Sequence, residues 1–429
     1  MDKIKPILFD IYPELEGKVP WIPLLTNLPS KVERLKELEK HLKLEGGEIY
    51  IKRDDKVHNT YGGNKLRKFE FILGEALKKK KKGIITLGGI GTNHGLACAI
   101  ITKELGLKCE LNLYLQPLTW HVQRSLLLYD FFGAKLHFTK SFELGVLKSL
   151  LFRLFHPKYY LMSIGGSPIL GFGTPLGSVG FINAMFELKK QIDEGSLPIP
   201  DIIFVPAGSS GTSAGLTAGC KLLELKTKVY PVKVSIDIVV NPKTLMKIAN
   251  KTLKFLRKRD KTIPDVKVRE NDFQLIKGYL GSTYGVKTVR GQNAVDLIYD
   301  LEGKSRDFRL ETTYTGKTMA AMLDFLEKEE NKTKKVLFWN TYNSNDLDKY
   351  LRETKFDFEK LPKKFHRYYN NKLFQCWQVT DCPEDIRNKC RAYLNHEYRF
   401  WKVTECKLDD NKKNDALEYL KETMNLEDA

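Results

Sequence analysis

No window of this 429-residue chain approaches 18 uncharged apolar residues, so nothing in it reads as a membrane span. The first residues, Met-Asp-Lys-Ile-Lys-Pro, carry no apolar run of the kind a secretory leader needs. Cysteine is scarce as well: the seven are scattered and odd in number, which argues against a secreted disulfide framework and makes a cytoplasmic protein the expectation. Cys376, Cys382, Cys390 and Cys406, with His366 and His396 nearby, include no Cys-x-x-Cys pair, and no metal is expected. No repeat of fixed period occurs, and acidic residues are in deficit, 53 against 71 Lys and Arg. The resulting charge of +18 favours anionic partners. Much of it is lysine on helix faces, at 78–82 and 254–259, without interleaved aromatic or glycine recognition elements, so nucleic acid is not the expected partner.

A hydrophobic content of 42% with 11% aromatics describes a folded chain long enough for more than one domain. Short apolar strands alternate with helical patterns from residue 48 onward: strands at 48–53, 84–87, 109–115, 135–139, 159–163, 201–206 and 229–238, with helices at 93–105 and 121–132. Strands apolar throughout their length, set between helices, belong to parallel sheets buried on both faces, and the class is α/β. The spacing predicts a further helix over 32–44. Beyond about residue 337 the alternation fades, although Trp377, Phe400 and Trp401 argue against a wholly disordered tail.

Three stretches carry chemistry. In Gly62-Gly63-Asn64-Lys65-Leu66-Arg67-Lys68 a glycine turn opens a helix whose apolar residues Leu66, Phe69, Ile72, Leu73, Ala76 and Leu77 recur at helical spacing. Lys65 then sits in the first turn, where free N–H groups and the helix dipole lower an amine's pKa, which suits an imine-forming nucleophile. In Gly88-Gly89-Ile90-Gly91-Thr92-Asn93-His94-Gly95 a strand runs through glycines into a helix start. The spacing is not the dinucleotide fingerprint, and no acidic residue ends the next strand. A carboxylate site is the reading, with Thr92 and Asn93 as donors and His94 beside them for binding or proton transfer; an ordinary helix cap at Thr92 or Asn93 is the alternative. In the third stretch, a buried strand from Asp201 leads into Gly208, Ser209, Ser210, Gly211 and Thr212 ahead of an apolar helix. Small hydroxyl residues at a helix start make a phosphate cup, and without a terminal Lys-Ser/Thr it suits a cofactor monophosphate better than a nucleotide with magnesium.

An imine-capable lysine, a carboxylate cradle and a phosphate cup are the parts required for pyridoxal 5'-phosphate and an amino acid. With Ile51-Lys52-Arg53-Asp54-Asp55 and Tyr314-Thr315-Gly316-Lys317, these motifs occur in the order that resembles the D-cysteine desulfhydrase and 1-aminocyclopropane-1-carboxylate deaminase family, within the tryptophan synthase β-like, fold-type II enzymes. The match runs from about residue 20 to about 340. The resemblance implies Lys65 as the Schiff-base lysine, Lys68 and residues 208–212 as phosphate ligands, and Asn93 on the cofactor's phenolic oxygen. It further implies Thr92 near the substrate carboxylate, Tyr284 and Tyr314 as paired active-site tyrosines, and Thr315 facing the pyridine nitrogen. Glutamate in place of Thr315 would keep that nitrogen protonated and would mark the cyclopropane deaminases; threonine favours α,β-elimination over ring opening. The sequence departs from the family pattern in Thr92 for serine, Gly91 for glutamine, and a longer spacer over 303–313.

The expected protein is an enzyme of two three-layer αβα domains with mostly parallel sheets and the cofactor in the cleft between them. Residues 1–60 and 176–345 form the larger domain, 61–175 the smaller, and 346–429 an extension of unread role. It is expected to be a homodimer acting on a small amino acid, D-cysteine foremost, with pyruvate, ammonia and sulfide as products. Cyclopropane-carboxylate deamination and racemisation are the enzymatic alternatives. A non-catalytic cofactor- or nucleic-acid-binding protein is the alternative of another class.

Overall fold

The computed structural model describes residues 5–116, 119–168, 173–282, 284–352 and 358–369. Cys376, Cys382, Cys390, Cys406, His396, Trp377, Phe400 and Trp401 lie outside the described residues. The chain opens with α1 (Ile7–Ile11), then β1 (Val32–Arg34), α2 (Lys36–His41) and β2 (Glu48–Lys52). The single helix expected over 32–44 is therefore a strand, a break and a short helix. Val32, Glu33 and Arg34 pair antiparallel with Lys52, Ile51 and Tyr50. The edge of β2 offers ladder hydrogen bonds that outweigh the local helical period, while Leu35 and Leu38 are still buried.

From there the order is regular. The elements are α3 (Asn64–Lys78), β3 (Gly83–Gly89), α4 (Asn93–Glu104), β4 (Lys108–Tyr114), α5 (Trp120–Phe131), β5 (Lys135–Thr139), α6 (Phe142–Phe155) and β6 (Tyr159–Leu161). They continue with α7 (Leu176–Asp193), β7 (Ile202–Ala207), α8 (Gly211–Leu222), β8 (Lys228–Lys233), α9 (Pro242–Arg257), α10 (Val289–Ile298), α11 (Lys304–Arg306), α12 (Thr315–Leu326), β9 (Lys335–Trp339) and α13 (Asp348–Arg352). β8 stops at Lys233, short of the expected 238, where the chain turns toward α9.

Two compact units form, one from 1–82 with 158–345, the other from 83–157 with the described part of 346–429. The divisions fall at 83 and 158, where the expected boundaries were 61 and 176, and α3 groups with the first unit. The first unit is built on a five-stranded sheet in the order β1-β2-β9-β7-β8, parallel apart from β1. β9, at the point where the sequence alternation fades, occupies the centre. Its Val336, Leu337, Phe338 and Trp339 are fully buried because strands flank it on both sides. In the second unit β5, β4 and β3 are parallel neighbours in that order. Both units follow the α/β rule that continuous apolar strands lie in parallel register under helices. Among the described residues no helix is long and apolar enough to cross a membrane.

Candidate active site

The start of α3 is held by a fully buried set of charges. Arg67 donates Nε to Asp54 Oδ2 at 2.7 Å and Nη2 to Asp54 Oδ1 at 2.7 Å, while Nη1 and Nη2 reach Glu187 at 3.1 and 3.0 Å. Lys52 Nζ donates to Glu187 Oε1 at 2.6 Å and to Gln191 Oε1 at 2.6 Å, and Trp339 Nε1 donates to Asp54 Oδ2 at 2.6 Å. Two cations face two carboxylates, so the cluster is neutral as a whole and its hydrogen bonds offset desolvation. Burial alone would raise the Glu187 carboxyl, but Arg67 and Lys52 beside it hold it well below the usual carboxylate range. The helix that carries Lys65 and Lys68 is thereby tied at Arg67 to β2, α7 and β9.

Lys65 and Lys68 stand three residues apart and so share one face of α3. Lys65 Nζ donates to Asn64 Oδ1 at 2.8 Å. Burial brings its pKa down to about 8, against an opposing pull from Glu311. Lys68, 1% exposed, donates Nζ to Gly165 O at 2.8 Å and to Ser167 Oγ at 3.1 Å. Burial and the neighbouring Lys65 push its pKa well down, and no carboxylate among the described residues pairs with it. A buried amine with only neutral acceptors is stabilised as a cation when an anion arrives.

The turn after β7 stands beside this amine. Ser209 Oγ lies 3.0 Å from Ser167 Oγ, and Asn64 Nδ2 donates to Thr212 Oγ1 at 3.2 Å. A Cβ on Gly211 would stand 2.1 Å from Ser167 Oγ and 3.1 Å from Lys68 Nζ, so only glycine lets the backbone N–H groups of α8 come this close to the amine. One on Gly208 would lie 2.8 Å from the Tyr314 ring. Ser210, at φ 58, turns its hydroxyl away to donate to Val239 O at 2.8 Å, leaving its backbone to shape the cup. Donors of this kind, a lysine, hydroxyls and a helix N-terminus, fit a phosphate monoester. Sequence reasoning missed Asn64, Gly165 and Ser167; the glycines near 165 were the available signal, read only as a break between units.

Tyr284 and Tyr314 hydrogen-bond through their hydroxyls, with ring centroids 6.0 Å apart. Burial raises the Tyr284 phenol above its ordinary value and keeps it protonated. Thr315 is fully buried at the start of α12, and its Oγ1 accepts from Glu311 N–H at 2.8 Å. Lys65, Lys68, the 208–212 turn, both tyrosines and Thr315 all belong to the first unit.

The 88–94 turn belongs to the second. Thr92 caps α4, its Oγ1 accepting from Gly95 N–H at 3.3 Å, and Tyr129 donates to Thr92 O at 2.9 Å. Asn93 is the first residue of α4, and His94 is buried with Nε2 2.9 Å from Thr86 Oγ1. Both peptide groups of Gly91 are engaged: its N–H donates to Gln116 Oε1 at 3.2 Å, and its carbonyl accepts from His121 Nε2 at 3.0 Å. Burial lowers the His121 pKa to about 4, so the ring is a neutral donor at physiological pH. A Cβ at Gly91 would meet Val122 Cγ2 at 2.9 Å and Gln116 Nε2 at 3.0 Å, which explains the missing side chain there. Neither Gln116 nor His121 stood out in the sequence.

Among the described residues no cluster of His, Cys, Asp or Glu could hold a metal ion, and His366 bonds Leu361 O at 2.8 Å. Residues 24–341 match a family model described as pyridoxal-phosphate dependent enzyme. The chain is 31% identical over 330 residues to a D-cysteine desulfhydrase of Klebsiella pneumoniae strain 342, covering 74% of this chain and 92% of the relative. A crystal structure described as an ACC deaminase homologue superposes with a TM-score of 0.64 at 27% identity, covering 79% of this chain and 95% of that one. A pyridoxal 5'-phosphate-dependent aspartate racemase shares the fold, with a TM-score of 0.53 at 16% identity over 74% and 91% of the two chains.

Proposed function

This chain belongs to the pyridoxal-phosphate dependent enzymes, and from that premise we propose that it catalyses α,β-elimination and deamination of a small amino acid, D-cysteine foremost, to pyruvate, ammonia and sulfide. The observation that carries the reading is Lys68: a buried amine with no carboxylate partner among the described residues, against the 208–212 turn and on the same helix face as Lys65. Lys68, Ser209, Gly211, Thr212 and Ser167 would hold the phosphate, and Thr315 would serve the ring nitrogen. When bound, pyridoxal phosphate supplies an aldehyde for the substrate amine and a conjugated ring that spreads the charge left after proton loss.

The remaining chemistry is the chain's own. Lys65, with a pKa near 8, has an appreciable neutral fraction at physiological pH and takes the α-proton. The β-carbon–sulfur bond breaks with its electron pair leaving as hydrosulfide, the hydrogen-bonded phenols of Tyr284 and Tyr314 supply its proton, and water hydrolyses the released 2-aminoacrylate to pyruvate and ammonia. Thr92, Asn93, His94 and the N–H groups that open α4 bind the substrate carboxylate, with Gly91 clamped at both peptide groups so that the turn does not yield. Threonine at 315, which leaves the ring nitrogen neutral, supports elimination over ring opening.

The test is a product assay on the purified, cofactor-loaded chain. D-cysteine should yield pyruvate and sulfide in equal amounts, and Lys65→Ala should abolish both together with the cofactor's imine absorbance. Production of α-ketobutyrate from 1-aminocyclopropane-1-carboxylate, or inversion of an amino acid without sulfide, would move the chain to one of the neighbouring activities. Cofactor absorbance without turnover would leave it a binding protein.

A further inference from the structure

We propose that Glu311, which no motif marks, is the positioning residue for the cofactor-facing start of α12. This rests on the functional reading above. α12 begins at Thr315 with Tyr314 as its N-cap, at φ −124 and ψ −67, and no capping hydrogen bond comes from the Tyr314 side chain. A helix start of this kind leaves several N–H groups without an intrahelical acceptor. Glu311 supplies acceptors for the N–H of every residue from 313 to 316. Its Oε2 accepts from Thr313 N at 2.7 Å, and its Oε1 from Tyr314 N at 2.8 Å and Thr315 N at 2.9 Å. Its carbonyl accepts from Gly316 N at 2.8 Å. Its own N–H donates to Thr315 Oγ1 at 2.8 Å, closing the ring.

The geometry has two consequences. Every hydrogen bond at the carboxylate is an accepted one, which is the pattern of the ionised form, and a negative charge at a helix N-terminus is favourable. The Thr315 hydroxyl has its oxygen occupied by a strong donor, while its own proton has only long contacts, 3.3 Å to Glu311 O and 3.3 Å to Glu311 Oε1. That proton is free for a better acceptor, as a ring nitrogen would be. Tyr314, held through its own N–H, is set against Gly208 in the same turn of chain.

The charge reaches further than the hydrogen bonds. Glu311 is the carboxylate that opposes the effect of burial on Lys65 and Lys317, and it adds to the effect of burial in raising the Tyr284 phenol. Lys68 is the other charged group coupled to Lys65. The same carboxylate that holds Tyr314 and Thr315 by their N–H groups thus favours the protonated form of Lys65.

The experiment uses the full chain, E311Q and E311D, with pyridoxal phosphate as the probe. Cofactor uptake is followed by absorbance across pH, and thermal unfolding is measured without cofactor. E311Q removes the charge, so the pH midpoint of imine formation at Lys65 should fall by roughly half a unit to one unit. E311D keeps the charge but draws it back by one methylene, so the midpoint should stay while the cofactor Kd rises several-fold. A purely structural cap would lower the melting temperature and leave the E311Q midpoint where it is in the parent, and that result overturns the proposal. So does loss of the folded state in both variants. Failure of the parent chain itself to take up pyridoxal phosphate sinks the functional reading, and this proposal with it, by a separately recognisable route.

Discussion

Lys68 and Lys65 illustrate how one helix turn produces two different amines. Lys68 is fully buried and meets a carbonyl and a hydroxyl, whereas Lys65 is half-buried and has a side-chain amide and the pull of Glu311. Lys68→Ala removes a charge-assisted contact to a phosphate and should raise the Kd for pyridoxal phosphate roughly ten- to a hundredfold, read by absorbance titration. Inorganic phosphate should compete with the cofactor in the parent chain and far less in the variant. For Lys65 the sign of the pH effect is set by its folded pKa of about 8, below the ordinary 10.5. Between those values the unfolded chain holds the proton and the folded chain does not, so stability of the cofactor-free protein should rise with pH through that window. Denaturant unfolding at pH 7.5 and 9.5 checks it, and Lys65→Met should flatten the rise.

At the scale of elements, α3 is placed by Arg67 and α5 by the chain that follows residue 345. Arg67→Met would leave Asp54 and Glu187 buried with one cation between them, Lys52, and should cost about 3–5 kcal/mol in unfolding free energy. Because the lost ties are those of α3, cofactor affinity should fall alongside stability, measured in the same preparation. In the second unit Arg124 of α5 pairs with Asp348 of α13, both largely buried, and Tyr369 donates its hydroxyl to Gln123 O at 2.8 Å. α5 also carries His121, which holds the Gly91 carbonyl. Asp348→Ala should therefore loosen α5 and the 88–94 turn, seen as faster amide exchange in both. The KM for the amino acid should rise while cofactor Kd changes little. Unchanged exchange at the turn would separate it from the segment after 345.

The chain carries a charge of +18, and among the described residues many of its lysines lie on solvated faces. α9 shows the pattern: Leu245, Ile248, Leu253 and Leu256 are buried, while Lys243, Lys247, Lys251 and Lys254 are exposed on the same helix. Lysines distributed in this way attract polyanions without reading them. Any association with RNA or DNA should be weak, indifferent to base sequence, and largely gone between roughly 50 and 200 mM salt. Binding that survives such salt would give the surface a role of its own.

Local pattern was enough to write the α/β class, the helix that carries Lys65 and Lys68, and the glycine-hydroxyl turn at 208–212. Each rests on residues adjacent in the chain, whose spacing, turn chemistry and helix start determine where an amine or an N–H points. Only the tertiary structure decided that Val32 to Arg34 would be a strand and that β9 would lie at the centre of its sheet, because both depend on partners found after folding. The same holds for Ser167 beside Lys68, for Glu187 120 residues beyond Arg67, and for His121 at Gly91. Glu311 was hidden for a different reason. Its bonds are local, but a glutamate four residues before a helix matches no capping pattern, and it declares itself only once the N–H groups of 313–316 are seen to converge on it.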